Sequence, residues 1–159
     1  MGAVPFKSLI APLLRHLNVN PPALDEQSAV RIDFDHLQLQ LTPLNDRELL
    51  MVASLGALPG DAHAGLAWAL LGANDIDPTA PAISVTVIGS ERSVILWSRE
   101  RFAYLDAPAL IAMFERLVAK AEGMLQTLAA QGGATHGTPA SGKAREARTS
   151  LSASRVWER

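Results

Sequence analysis

The chain has 159 residues, of which 48% are hydrophobic and 19% charged, and it has no cysteine. This is one domain's worth of chain with enough apolar content for a core, so disorder throughout is excluded, and without cysteine there are no disulfides, thiolate metal sites or cysteine nucleophiles. The net charge of −2 hides an asymmetry: of fourteen basic and sixteen acidic residues, five basic (Lys143, Arg145, Arg148, Arg155, Arg159) and two acidic (Glu146, Glu158) fall beyond residue 131, leaving nine and fourteen in the body. An acidic body argues against nucleic-acid binding. No apolar run reaches the roughly 18 residues of a membrane span. The N-terminus lacks a basic region followed by an apolar stretch, so no secretory signal is expected. A cytoplasmic protein without membrane insertion is the expectation.

Phe6, Leu9, Ile10, Leu13, Leu14 and Leu17 recur at helical spacing and predict a helix over 5–17. Pro5 suits its first turn, whereas Pro12 predicts a kink or a late start. Val30, Ile32 and Phe34, then Leu37, Leu39 and Leu41, alternate with polar residues and predict two strands. A two-residue link, Asp35-His36, would place Phe34 opposite Leu37 and both apolar sets on one face. After a turn at 43–46, residues 49–55 read as a strand apolar on both faces.

Asp61 is placed to cap a helix over 62–73. Its small residues (Ala62, Ala64, Gly65, Ala67, Ala69, Gly72, Ala73) and large ones (Leu66, Trp68, Leu70, Leu71) leave it apolar nearly all round. Such a helix needs burial on every side, which in a domain this small points to a second subunit; a central core helix is the plainer alternative. Ile83, Val85 and Val87 alternate as a strand, and a turn at 89–92 leads into a return strand from Val94 to about Phe102. Asp106 and Pro108 then open a helix through about Gln131, with Leu110, Phe114, Leu117, Ala121, Leu125 and Leu128 on one face. The expected fold is an α+β sandwich of order α-β-β-β-α-β-β-α with a twisted, mainly antiparallel sheet, as a homodimer. The body is assigned to 1–131 and a flexible basic tail to 132–159, where Trp157 stands out.

Catalytic patterns are missing from the sequence. His16, His36, His63 and His136 lie in unrelated segments, without metal-ligand spacing. Asp33 and Asp35 share the polar side of one strand and read as a solvated face rather than an acid–base pair. Asp75 and Asp77 are ordinary loop chemistry. There is no phosphate loop and no Gly-x-Ser-x-Gly elbow. No enzyme activity, metal or cofactor is expected. The positive signal is apolar surface in excess of what the body can bury, which suits a dimeric module for extended peptides.

Three stretches carry a family resemblance. Leu50 through Pro59 ends in Leu-Gly-Ala-Leu-Pro, Leu70-Leu71-Gly72-Ala73-Asn74 closes the second helix, and Val94-Ile95-Leu96 is followed by Tyr104-Leu105-Asp106 and a long amphipathic helix. In this order and spacing the chain resembles the class I type III secretion chaperones of the CesT/Tir chaperone family over about residues 5–130. The resemblance implies an acidic cytoplasmic homodimer that binds the N-terminal region of secreted effectors without ATP, keeps it non-globular and delivers it to the secretion ATPase. It also implies dimer contacts at Ala64, Ala67, Trp68, Leu71, Val85 and Val87, and effector contacts at Leu9, Leu13, Leu14, Leu17, Leu39 and Leu41. Pro12 and the long basic tail depart from the family's general pattern. The competing readings are a small α+β enzyme with an unrecognised site and a regulatory dimeric interaction protein.

Overall fold

A computed structural model describes residues 5–19, 29–45, 47–58, 60, 64–74, 77–131 and 148–150. Helix α1 (Phe6–His16) turns Phe6, Leu9, Ile10, Leu13 and Leu14 into the core. It runs unbroken through Pro12. The lost hydrogen bond is the one Pro12 would give to Ser8, and Ser8 is exposed, so water can satisfy its carbonyl.

Strands β1 (Val30–Asp33) and β2 (Gln38–Leu44) form the hairpin expected from their alternation. The Phe34 N–H donates to the Leu37 carbonyl at 2.8 Å, closing the link at Asp35-His36. Val30, Ile32, Leu37, Leu39 and Leu41 are all buried on one face. β2 runs further than the sequence suggested: Pro43 and Leu44 pair with Leu49 and Glu48 of β3 (Glu48–Ala57). By strand alternation the missing N–H of Pro43 lies on the side away from β3, past the end of β1, where no ladder bond is lost. β3 carries a bulge between Ser54 and Gly56 where it pairs with β5, and Gly56 takes a φ of 89° that favours glycine.

After α2 (Ala64–Gly72), β4 (Ile83–Ile88) and β5 (Ser93–Arg101) form the second hairpin. A short 3-10 turn, Phe102–Tyr104, leads into α3 (Ala107–Gln131). The Asp106 carboxylate accepts the Ala109 N–H at 2.8 Å, the N-cap expected of that aspartate. Leu110, Phe114, Leu117, Ala121 and Leu128 are buried, as are Met113, Val118 and Met124, while Leu125 packs half-buried on the core. Phe6 stacks on Phe102 at 6.3 Å between centroids, and Phe34 meets Phe114 at 6.4 Å; α1 packs on α3, and α3 on β3 and β5.

The sheet order is β4-β5-β3-β2-β1-β6, with every pairing antiparallel. The α+β architecture and element order are those expected, with one addition. β6 (Arg148–Ser150) lies in the segment where the sequence reading put no element, and pairs with β1. Three residues are too few to show an alternating period, and main-chain pairing needs none. The remainder of 132–159, with His136 and Trp157, lies outside the described residues, as do Asp61 and His63.

Candidate partner-binding surface

Helix α2 has apolar residues on every side, but the chain buries only one of them. Leu66 and Leu70 face inward, at 1% and 7% exposure, whereas Trp68 is 73% and Leu71 62% exposed. Val87 and Ile88 at the end of β4 are each 41% exposed. Between helix and strand lies an apolar groove of about 390 Å³, lined by Leu58, Leu66, Ala67, Leu70, Leu71, Asn74, Val85, Val87 and Arg92. Contiguous exposed apolar surface of this kind is what protein–protein contact sites and ligand grooves share.

The groove is built by local bonds at both ends. At the α2 C-terminus, Asn74 donates through Nδ2 to the Leu70 carbonyl at 3.4 Å, and its Oδ1 accepts the Val85 N–H at 2.6 Å. One carboxamide thus ties the helix end to β4. At the other wall, Leu58 N–H donates to the Arg92 carbonyl at 2.9 Å, and Arg92 adopts a φ of 55° in the β4–β5 turn. Behind the groove, Arg116 of α3 donates to the Pro81 carbonyl at 3.3 Å and lies 3.5 Å from Asp77. Asp77 also accepts from the Thr79 hydroxyl and N–H, at 2.6 and 2.8 Å. These bonds, chiefly those from Thr79 and then the Arg116 charge, hold its carboxyl below the usual carboxylate range.

Of the six residues expected at a dimer contact, Ala67, Leu71, Val85 and Val87 line this groove together. Ala64 and Trp68 are exposed on the same helix, and only Val85 is buried, at 9%. The six expected effector contacts fare differently. Leu9, Leu13, Leu14, Leu39 and Leu41 are core residues at 0–5% exposure in the single chain, and of the six only Leu17 is half-buried. Their helical or alternating spacing fits a core face as well as a groove.

The opposite sheet face carries apolar residues the sequence reading did not single out as a site. Leu50 and Val52 of β3 and Ile95 and Trp97 of β5 are half-buried there, with Val52 directly opposite Trp97. Their partners Leu49, Met51, Leu96 and Val94 fill the core on the helix side. Trp97 donates its indole N–H to Thr86 at 3.0 Å. The signal was the doubly apolar third strand.

Among the described residues, Asp33, His16 and His36 form surface pairs. Asp33 accepts from Arg31 at 2.9 Å and Gln38 at 3.1 Å. His16 lies 3.1 Å from Glu115, and His36 lies 3.7 Å from Glu122. Among the described residues no three His, Asp or Glu side chains gather as a metal site, and no helix is long and apolar enough to cross a membrane.

The fold and groove define a small α+β binding module with an apolar helix presented outward. The chain belongs to the Tir chaperone protein (CesT) family, whose sequence profile matches residues 8–125. Comparison with curated proteins gave no match. Similar solved structures include the Yersinia pestis type III secretion chaperone SycH in complex with a stable fragment of YscM2, with TM-score 0.60, 22% identity, and coverage of 74% of this chain and 97% of that one. The Pseudomonas aeruginosa ExoU–SpcU complex gives TM-score 0.58 and 22% identity, covering 74% and 94%. The ExoT–SpcS complex from the same organism gives TM-score 0.56 and 24% identity, covering 74% and 95%.

Proposed function

We propose that the chain is a type III secretion chaperone that acts as a homodimer in the bacterial cytoplasm. It binds the N-terminal region of secreted effector proteins, keeps that region non-globular and delivers it to the secretion apparatus, with the secretion ATPase as the receiving partner. It needs no cofactor and catalyses nothing. Family membership supports the chaperone role. The observation that carries the binding role is the outward-facing pair Trp68 and Leu71 beside an apolar groove. A second copy covers α2 and the groove. An effector segment lies across the opposite sheet face, on Leu50, Val52, Ile95 and Trp97, and its ordering on binding demands a large contact. Residues 1–131 form the binding body.

The test is hydrogen exchange of the full chain with and without N-terminal fragments of secreted proteins encoded beside it. Protection rises on β3 and β5 when a fragment binds. No change in the body with any such fragment, together with turnover in a hydrolase or transferase screen, would favour the enzyme reading.

A further inference from the structure

The two edges of the sheet are closed by different means. On the β4 edge, the outward N–H of Val85 is taken by the Asn74 side chain, so another strand cannot pair there without displacing it. On the other edge, β1 is covered by main-chain pairing with β6. Phe34 turns its N–H toward β2, and by alternation the main-chain groups of Arg31 and Asp33 turn away from β2. They face β6, where Arg31 lies opposite Ser150 and Asp33 opposite Arg148. These three residues thus take up edge groups of β1 of the kind on which an extended chain can add.

We propose that Arg148–Ser150 is a built-in cap on the β1 edge, which an extended polypeptide must displace before it can pair there. The contact is three residues long, so its own hold is small. It is made effective by belonging to the same chain, since covalent linkage raises the local concentration of a segment to roughly the millimolar range. A short cap on a tether suits a reversible closure: strong enough to keep stray strands and second copies off the edge, weak enough to yield to a longer pairing segment. This inference goes beyond the chaperone reading and does not depend on which client binds.

The test uses the full chain and its Arg148→Pro/Ser150→Pro variant. Both positions turn their N–H toward β1, so proline removes the donors and fixes φ away from the strand range. In the unaltered chain the Arg31 and Asp33 amides exchange about tenfold more slowly than in the variant, the worth of roughly one hydrogen bond each. Ile32, whose N–H faces β2, exchanges alike in both. A labelled synthetic peptide of residues 145–153 then binds the variant at least about tenfold more tightly than the unaltered chain, where it competes with the tethered copy. Equal exchange at Arg31 and Asp33 in the two proteins would overturn the cap. So would a freed edge that takes no peptide, or equal peptide binding by both. No secreted client enters the assay, so its failure leaves the chaperone reading standing, and failure of that reading leaves the cap standing.

Discussion

The carboxamide oxygen of Asn74 accepts the N–H of Val85 at 2.6 Å, across eleven residues of chain and from a helix end to an edge strand. The same side chain donates back to Leu70, one turn up α2. Asparagine has one acceptor and one donor end, and both are used here. The final residue of the Leu-Leu-Gly-Ala-Asn stretch therefore sets where α2 sits on β4, and with it the width of the groove between Leu71 and Val87.

Asn74→Leu removes both bonds and leaves the Val85 N–H without its partner. The expected loss is about 1–3 kcal/mol, the cost of stranding a largely buried donor. Urea denaturation measures it, and faster exchange of the Val85 amide locates it. Asn74→Asp keeps the acceptor, loses only the donor, and should retain the Val85 protection.

Trp68→Asp separates dimer from fold. Trp68 is 73% exposed, so within one protomer the change should stay within about 0.5 kcal/mol, as for other surface substitutions. In a dimer covering α2, it buries a carboxylate without a partner, at a cost of about 3–5 kcal/mol. Light scattering at micromolar concentration should show twice the chain mass for the unaltered protein and the single-chain mass for the variant, with unchanged circular dichroism. An unaltered protein of single-chain mass would remove the dimer from the proposal.

Leu13→Ala and Val52→Lys distinguish core from contact surface. Leu13 is fully buried, so truncating it should cost about 2–5 kcal/mol of stability, and a glutamate there should unfold the domain. Val52 is half-buried on the sheet face away from the helices, and lysine can lay its stem along that surface with its charge in water. Val52→Lys should leave the thermal midpoint nearly unchanged and weaken effector binding at least tenfold, about 1.4 kcal/mol. Calorimetry of the two variants with one effector fragment checks both halves.

That contrast shows what the sequence could and could not convey. The hairpin through Asp35-His36 was legible because that link aligns Phe34 with Leu37, whose main chains bond across it. The start of α3 was legible because Asp106 has the chemistry of a cap. For α1, periodicity marks an apolar stripe but not what covers it, and the structure places Leu13 in the chain's own core. For α2, the absence of a polar side signalled that apolar residues would stay exposed on the single chain, while Leu66 and Leu70 could be told from Trp68 and Leu71 only after the helix was docked on β4. β6 had no signal, because pairing to an open edge is a property of the main chain.

The Asp77–Thr79–Arg116 cluster makes a prediction about pH. The Thr79 hydroxyl and N–H, and then the charge of Arg116, favour the ionised Asp77 carboxylate. Its pKa in the folded chain thus lies below the value in the unfolded chain, and the unfolded state binds the proton more readily. The linked stability is fully present above the unfolded value, about 3.9 for aspartate. It is lost as pH falls through the folded pKa. The unaltered chain should therefore be more stable than Asp77→Asn at pH 7, with the difference shrinking as the pH drops below about 4. The cluster is solvent-exposed, so salt should weaken the Arg116 part more than the Thr79 bonds. A carbon-detected NMR titration of the Asp77 carboxyl reads the shift itself. Thr79→Ala removes the leading contribution and should move the pKa up further than Arg116→Gln does. If Arg116→Gln moved it more, the charge rather than the Asp77–Thr79 turn would be holding the connection between α2 and β4.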